Sequence, residues 1–187
     1  YGNVNELPMK EELRPQPYSP YGVTKLAAEN LCELYRMNYG IEAISLRYFT
    51  VYGERQRPDM AFHRFIRAIL DGKEIVVYGD GRQTRDFTYV GDVVDATIKA
   101  AESDATGVFN VGGGTRIELI EAIKVIEELA GQGAIIRFKE NQKGDVRDTY
   151  ADISKVQREI GYRPKTGLKE GLKREVEWIE ENLPILS

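Results

Sequence analysis

The chain has 187 residues, of which 42% are hydrophobic and 30% are charged, and its formal net charge is −4. Such a mix is typical of a globular protein of one to two domains and excludes collagen-like, disordered and strongly basic nucleic-acid-binding classes. The sequence has no apolar stretch of about 18 residues and no signal-peptide pattern, and with one cysteine and one histidine it has no Cys/His metal site, so we predict a metal-free cytoplasmic protein without membrane contact.

The first helix is predicted after an irregular, proline-rich opening segment. Ser19-Pro20 provides an N-cap followed by a proline in the first turn, and Gly40 ends the pattern. The apolar residues that recur at helical spacing are Val23, Ala27, Leu31, Leu34 and Tyr35. Cys32 lies on the same helix and is interpreted as an inert, small apolar residue.

Strands and helices alternate along the rest of the chain. Strands are predicted over 41–52, 74–78, 87–90, 108–111 and 134–138. Helices are predicted over 59–71, over 91–102, from Ile117 to about Leu129, after Ser154 in a capping box with Gln157, and at the C-terminus. The last helix carries one apolar stripe: Leu168, Leu172, Val176, Ile179 and Leu183. This alternation predicts an α/β sheet protein.

Tyr21 and Lys25 are the first candidates for chemistry. Residues four apart share one face of a helix, and a nearby ammonium lowers the pKa of a phenol, which would make the tyrosine an acid/base group. With eleven tyrosines in the chain, such a pair also arises by chance. A solvated surface pair therefore remains the alternative for these two residues taken alone.

Several arginines and glycines are candidates for phosphate binding. Arg82 and Arg85 follow a glycine-rich turn and could hold a phosphate, or pair with Asp80 or Asp86. Arg147 stands between two aspartates and, taken alone, favours a surface ion-pair cluster.

Two other features have simpler interpretations. The glycines at 112–114 lack the last glycine of the dinucleotide fingerprint and predict a tight turn from a strand to a helix. His63 is expected to be a surface or packing histidine.

Six motifs occur together in one order. They are SPYGVTK at 19–25, LRYFTVYG at 46–53, VYGDG at 77–81, RDFTYV at 85–90, NVG at 110–112 and YAD at 150–152. In this order the chain resembles the extended short-chain dehydrogenase/reductase family, and within it the nucleotide-sugar 4-epimerases of the UDP-glucose type. The run RPDMA at 57–61 and the segment 144–152 also resemble the UDP-glucuronate 4-epimerases.

The resemblance implies an NAD-dependent isomerase with Tyr21 and Lys25 as catalytic and cofactor-binding residues. Tyr21 would take the proton of the sugar 4-hydroxyl as hydride passes to NAD, and Lys25 would hold the nicotinamide ribose. The 4-keto sugar would then rotate within the site, and hydride would return to its other face. Tyr48 and Phe49 match positions that lie against the nicotinamide.

The resemblance also implies a set of residues that bind the UDP-sugar. Val76 and Tyr78 would lie at the uracil beside Phe62, and Arg85 would bind the diphosphate. Gln142 stands where some relatives have a second arginine, so Arg147 is the candidate replacement. Thr50 stands where many epimerases have an asparagine, which favours the glucuronate type as an alternative.

The fold implied is the C-terminal portion of a Rossmann-fold enzyme with a smaller α/β substrate-binding domain. Residues 1–53 and 89–112 would complete part of the NAD-binding domain, and 54–88 with 113–187 would form the substrate domain. The chain opens on Tyr-Gly without a methionine, so we expect the cofactor's glycine-rich turn and a catalytic Ser or Thr upstream, and no activity from this fragment alone. We also expect a homodimer through the Tyr21-bearing helix, with Leu31, Leu34 and Cys32 near the seam or in the core.

Three alternatives remain at this point. The first is a UDP-glucuronate 4-epimerase. The second is a dTDP-glucose 4,6-dehydratase or a decarboxylase on the same scaffold. The third, of another class, is a non-catalytic nucleotide-sugar-binding fragment.

Overall fold

The computed structural model describes residues 1–2, 4, 6–140 and 146–186. The helices are α1 (Pro20–Tyr39), α2 (Ala61–Leu70), α3 (Val90–Ala101), α4 (Leu119–Ala130), α5 (Ser154–Glu159) and α6 (Leu168–Leu186). The strands are β1 (Ile44–Tyr48), β2 (Thr50–Tyr52), β3 (Glu74–Tyr78), β4 (Thr84–Arg85), β5 (Phe87–Tyr89), β6 (Gly107–Val111), β7 (Ile117–Glu118) and β8 (Ile135–Lys139). Helices and strands alternate, which confirms the predicted α/β class.

Strands that are distant in sequence pair with one another. β1 pairs with β6, β2 with β5 and β3 with β8, all in parallel, whereas β4 and β7 are antiparallel. The single strand predicted over 41–52 is divided at Phe49, whose N–H donates to the Val111 carbonyl at 2.9 Å. The division arises because the two halves of this segment pair with different strands.

The largest apolar core lies where α2, α4 and α6 pack around β2, β3 and β5. The stripe predicted for the last helix is confirmed at Leu172, Val176 and Ile179, which are all buried. Leu183 belongs to the part of α6 whose side chains lie outside the described residues. Burial of each such aliphatic side chain contributes about 1.5–3 kcal/mol, so this stripe holds α6 against the sheet.

A second core lies around β6. Phe109 and Val111 pack against Ala96 of α3, Val156 of α5 and Tyr162. The Tyr162 hydroxyl donates to the Gly112 carbonyl at 2.9 Å, so this buried phenol keeps a partner. The β1–β6 pair is thereby joined to the segment that leads into α6.

Helix α1 begins and ends where the sequence predicts. The Ser19 hydroxyl accepts the Gly22 N–H at 3.1 Å, and Gly40 closes the helix in the left-handed conformation with φ 66°. The predicted place of Leu31, Leu34 and Cys32 in the core is wrong for the described part of the chain, and their place at a dimer seam stays a prediction. Leu31 is 55% exposed, no residue of α1 is buried, and Cys32 is exposed as well. Helical spacing indicates an apolar face but not which element covers it.

Other element boundaries also differ from the predictions, and two of these differences have a structural reason. The helix predicted from Ile117 begins at Leu119, because Ile117 pairs with Arg85 across the β4–β7 ladder. The capping box at Ser154 is wrong, since the Ser154 N–H instead donates to the Asp152 carboxylate at 2.9 Å and Ile153 occupies the cap. Among the described helices, none combines the length and the apolar character that a membrane crossing requires.

Candidate active site

Tyr21 and Lys25 lie together on the first two turns of α1. The Lys25 ammonium is 5.4 Å from the centroid of the Tyr21 ring, and Tyr21 is 71% exposed. The helix therefore presents a phenol and an ammonium side by side on an open surface. This arrangement suits a proton-transfer group with a cation beside it.

Helix α1 contacts one face of strand β1. The Arg47 guanidinium pairs with Glu29 of α1 at 2.6 Å and lies 4.5 Å from the centroid of the Tyr1 ring. The Tyr1 ring in turn packs against Phe49, with centroids 6.2 Å apart. Because residues two apart in an extended strand share a face, Arg47 and Phe49 lie on the side of α1.

Tyr48 points the opposite way. Its hydroxyl shares a hydrogen bond of 2.8 Å with Thr97 of α3. The structure therefore does not bring the Tyr48 and Phe49 side chains to one face, as the predicted nicotinamide contact of both would require. Of the two, Phe49 lies on the face of α1, where it is buried against Tyr1, and contact of either residue with a cofactor stays a prediction.

Asn110 is a buried hub that the sequence did not assign. Its side chain accepts the Tyr1 hydroxyl at 2.6 Å and donates to the Met9 carbonyl at 2.8 Å and the Asp152 carbonyl at 3.2 Å. One amide thus ties the opening segment to β6 and to the segment at 150–152. The NVG motif was the available signal, but a polar residue inside a strand gives no local sign of its partners.

Asp86 is a second unassigned hub. Its two carboxylate oxygens accept the Gly113 N–H at 2.6 Å and the Ala151 N–H at 3.1 Å. Each oxygen of this carboxylate thus holds a backbone N–H, and the predicted alternative of an arginine ion pair at Asp86 stays a prediction. Burial raises the pKa of Asp86 to about 6, against the opposing effect of the N–H groups. The predicted tight turn at 112–114 owes its position to this carboxylate, and β7 rather than a helix follows it.

Arg85 and Arg147 are brought together. Arg85 Nη1 donates to the Arg147 carbonyl at 2.7 Å. The Arg147 side chain is 68% exposed and lies 3.8 Å from Asp80 and 4.0 Å from Asp148. Ion pairs this long and exposed are weak, so the Arg147 guanidinium is able to turn toward an anion. Gln142 lies outside the described residues.

Thr50 and Phe62 both lie beside Phe87. Thr50 is the strand partner of Phe87, the Phe62 ring packs on Phe87 with centroids 4.4 Å apart, and Arg85 is two residues before it. Phe62 is only 2% exposed and also contacts Tyr52 edge-on. Its burial makes Phe62 a core residue at the start of α2, which does not favour the predicted direct contact with a substrate.

Val76 and Tyr78 lie along an edge of β3. The Gly79 N–H donates to the Lys139 carbonyl of β8. Since the backbone groups of alternate residues point to the same side of a parallel strand, those of residues 75 and 77 also point toward β8. The backbone groups of Val76 and Tyr78 then point to the other edge, where the Tyr78 carbonyl accepts from Gln83 at 2.9 Å.

A cavity of about 330 Å³ adjoins this edge between α2 and β3, and Val76 and His63 line it. His63 is buried, as the packing interpretation predicts, and burial together with Arg67 lowers its pKa, which keeps the imidazole neutral. A planar base with alternating donors and acceptors suits an edge of this kind. Within the described residues, no cluster of three or more metal-ligating side chains occurs.

These features define an α/β protein with an exposed Tyr/Lys pair on one helix and a pair of arginines beside a strand edge. The chain belongs to the NAD dependent epimerase/dehydratase family, whose model matches residues 1–112.

Comparison with known proteins gives the same assignment. The chain is 42% identical over 173 residues to the Bacillus subtilis protein YtcB, named an uncharacterized UDP-glucose epimerase, and this match covers 91% of the chain and 55% of YtcB. It is 40% identical to the UDP-glucuronate 4-epimerase of Thermodesulfobacterium geofontis, over 96% of the chain and 56% of that protein. The chain thus spans a little over half the length of these relatives.

A solved structure is similar over nearly the whole chain. The UDP-glucuronic acid 4-epimerase of Bacillus cereus, in complex with UDP-glucuronic acid and NAD, superposes with a TM-score of 0.93 at 42% identity. The match covers 97% of the chain and 58% of that enzyme.

Proposed function

We propose that the protein carrying this sequence is an NAD-dependent epimerase that inverts C4 of a UDP-sugar of the UDP-glucose/UDP-galactose type. The observation that carries the proposal is the pairing of Tyr21 and Lys25 on one face of α1, with the ammonium 5.4 Å from the phenol ring. Family membership and relatives named as UDP-sugar 4-epimerases support it.

In this proposal Tyr21 takes the proton of the sugar 4-hydroxyl and later returns it. Lys25 would place its positive charge beside the Tyr21 ring and would hold the nicotinamide ribose. NAD, when bound, supplies the hydride acceptor and donor. Lys25 and Phe49 would hold it on the face of β1 that carries α1, where the described residues leave Tyr21 and Lys25 open.

The diphosphate would be bound by Arg85 and Arg147. Guanidinium groups match phosphate geometry with two donors each, and these two are joined through the Arg147 backbone. The base would lie along the Val76 and Tyr78 edge of β3, and Thr50 would contact the sugar from the end of β2. Phe62 would support the sugar-binding region from the core, through Phe87, without contacting the substrate itself.

UDP-glucuronate is the second candidate substrate. The similarity to an enzyme solved with UDP-glucuronic acid favours it, as does the hydroxyl of Thr50 in place of an asparagine amide. An assay that offers UDP-glucose and UDP-glucuronate separately, with product analysis at C4, distinguishes the two sugars. Formation of a 4-keto-6-deoxy product or of a pentose would instead indicate a dehydratase or a decarboxylase.

The experiment that tests the proposal replaces Tyr21 with Phe in the protein that carries this sequence. We expect the loss of 4-epimerisation by at least about 10²-fold, the usual contribution of a positioned acid/base group, with UDP-sugar binding retained. Tyr18→Phe is the matched control, since Tyr18 is also exposed and close in sequence. Epimerisation at the wild-type rate in Tyr21→Phe overturns the mechanism, and UDP-sugar binding without turnover by the wild type supports the binding-fragment alternative.

We further propose the domain division and the dimer that the resemblance implies. The core around β6 supports a cofactor domain of 1–53 and 89–112, with Val156 and Tyr162 of the substrate part packed against it. A second copy covering α1 would bury the exposed Leu31 and Leu34. Sedimentation of the wild type and of Leu31→Glu/Leu34→Glu tests the dimer, which the charged pair should dissociate.

A further inference from the structure

We propose that Glu175, a buried carboxyl group on α6, is a positioning residue for the substrate site. Through Gly53 and Gln56 it fixes the strand that carries Thr50 against the first turn of α2. The inference rests on the proposed function, because only that function makes Thr50 a residue that contacts the substrate. Glu175 itself touches no substrate and acts only through the turn between β2 and α2.

The first step is the contact between α6 and this turn. Glu175 is 0% exposed, and its Oε2 accepts the Gly53 N–H at 3.0 Å. Its Oε1 has no partner among the described residues. A buried N–H that loses its acceptor is costly, so removal of the carboxyl would leave Gly53 free to move from its present position.

The second step is Gly53 itself. Its φ of 133° lies where side chains are strained, and a Cβ there would meet Val90 at 2.6 Å. Its carbonyl accepts the Gln56 N–H at 3.1 Å. Gly53 therefore links Glu175 on one side to Gln56 on the other.

The third step is the Gln56 side chain, which bridges the two elements of the site. Its Nε2 donates to the Val51 carbonyl of β2 at 3.0 Å, and its Oε1 accepts the His63 N–H at 3.0 Å. Val51 is adjacent to Thr50, and His63 lies in the first turn of α2. The series Glu175, Gly53, Gln56 thus sets the distance between β2 and α2.

The charge state of Glu175 follows from its surroundings. Burial raises its pKa to about 8, and the neighbouring Glu54 carboxylate acts in the same direction. Glu175 is therefore neutral at pH 7 and holds Gly53 as an uncharged acceptor. Of the titratable groups nearby, Glu54 of the turn and Tyr52 of β2 interact with Glu175. Around Tyr52 lie Tyr89 of β5, Asp92 of α3 and Glu170 of α6, and Arg174 of α6 contacts Tyr89.

These neighbours do not neutralise an ionised Glu175. Arg174 lies over the Tyr89 ring at 5.3 Å and pairs with Glu170, and the Tyr89 hydroxyl donates to Glu54. Ionisation of Glu175 above pH 8 places a negative charge in the core, beside the carboxylate of the half-buried Glu54. We therefore expect the turn to loosen as the pH rises through this range.

The test compares the wild type with E175Q, E175L and the control E177Q, whose glutamate is exposed on the same helix. E175Q keeps an acceptor for Gly53 but cannot ionise, whereas E175L removes the acceptor. The readouts are hydrogen exchange of the Gly53 amide and the separate kcat and KM for the UDP-sugar from pH 7 to 9.5. All measurements use the catalytically active protein that carries this sequence, with NAD bound.

For E175L we expect faster exchange at Gly53 and a KM raised about tenfold at pH 7, equivalent to ~1.4 kcal/mol, with kcat nearly unchanged. E175Q should match the wild type at pH 7 and should lack the increase of KM that the wild type shows above pH 8. E177Q should follow the wild type throughout.

An E175Q variant whose KM rises with pH as the wild type's does overturns the inference. So does an E175L variant with unchanged KM and unchanged exchange at Gly53. If E175L does not fold, the pH profile of E175Q alone decides. Lack of turnover by the wild type refutes the proposed function, and the exchange of the Gly53 amide in E175Q as a function of pH still tests the Glu175 contact.

Discussion

Arg85 donates a hydrogen bond from Nη1 to the backbone carbonyl of Arg147 at 2.7 Å, across 62 residues of sequence. The same two segments are joined where the Thr84 N–H meets the Arg147 carbonyl at 3.2 Å and the Asp148 carboxylate at 3.1 Å. Strand β4 and the segment at 147–148 therefore form one local unit.

The first prediction concerns this arginine pair. Arg85→Lys retains the charge but loses the planar pair of donors, so the Kd for UDP should rise by about tenfold or more. Titration calorimetry with UDP measures the effect. Arg158→Lys is the control, because Arg158 is an exposed arginine far from β4 in sequence that pairs with its neighbour Glu159. Equal affinities of Arg85→Lys and the wild type would argue against a diphosphate at Arg85.

A second prediction compares two glycines of positive φ. Gly53→Ala combines a strained φ of 133° with a contact of 2.6 Å to Val90, whereas a Cβ at Gly40, with φ 66°, meets nothing within 4 Å. Gly40→Ala should cost about 1 kcal/mol of unfolding free energy, and Gly53→Ala about 2 kcal/mol or more. Urea denaturation of both variants checks the order. A loss at Gly53 no larger than that at Gly40 contradicts the packing described for this turn.

The third prediction concerns Asp86. Both of its oxygens accept a backbone N–H, whereas an asparagine offers one acceptor and turns its amide N–H₂ toward the second N–H. Asp86→Asn should therefore lower the unfolding free energy by about 1–3 kcal/mol at pH 7.5. Urea denaturation beside Asp104→Asn, an exposed aspartate, gives the comparison. Equal stability of the two variants would show that the Gly113 loop does not depend on this carboxylate.

A fourth prediction is the pH dependence of stability. Glu175 has an ordinary pKa of 4.5, which burial raises to about 8 in the folded chain. Between these values the folded state keeps a proton that the unfolded state has lost, so the unfolding free energy falls as the pH rises from about 5 to about 8. E175Q should show a smaller decrease than the wild type and E177Q, in urea denaturation at pH 5, 6.5 and 8. Identical slopes would mean that Glu175 ionises in the fold near its ordinary pKa.

The elements that the sequence predicts well are those with local signals at both ends. β3 matches its predicted range because a β-branched run lies between Gly72 and Gly79. The ends of α1 follow from Ser19 and Gly40 for the same reason. Phe49 and Ile117 differ, since the break of one strand and the short pairing of the other depend on partners tens of residues away.

The candidate site shows the same limit. The motifs predicted Tyr21 with Lys25 and Arg85 with Arg147, and the structure places the members of each pair together. The motifs did not predict which way Tyr48 points, because the choice is made by Thr97 on another helix. Asp86, Asn110 and Glu175 were missed as hubs, since a buried polar residue is recognised only by partners that the fold supplies.

The open surface of α1 has a consequence for the order in which parts of the chain open. With no buried residue against the described part of the chain, α1 is held there by few contacts, among them the Glu29–Arg47 pair. Elements of this kind open at low free energy, well below global unfolding. Any surface that covers α1 stabilises it by mass action. The fraction of molecules in which Tyr21 and Lys25 are ordered therefore rises with the concentration or affinity of whatever covers the helix.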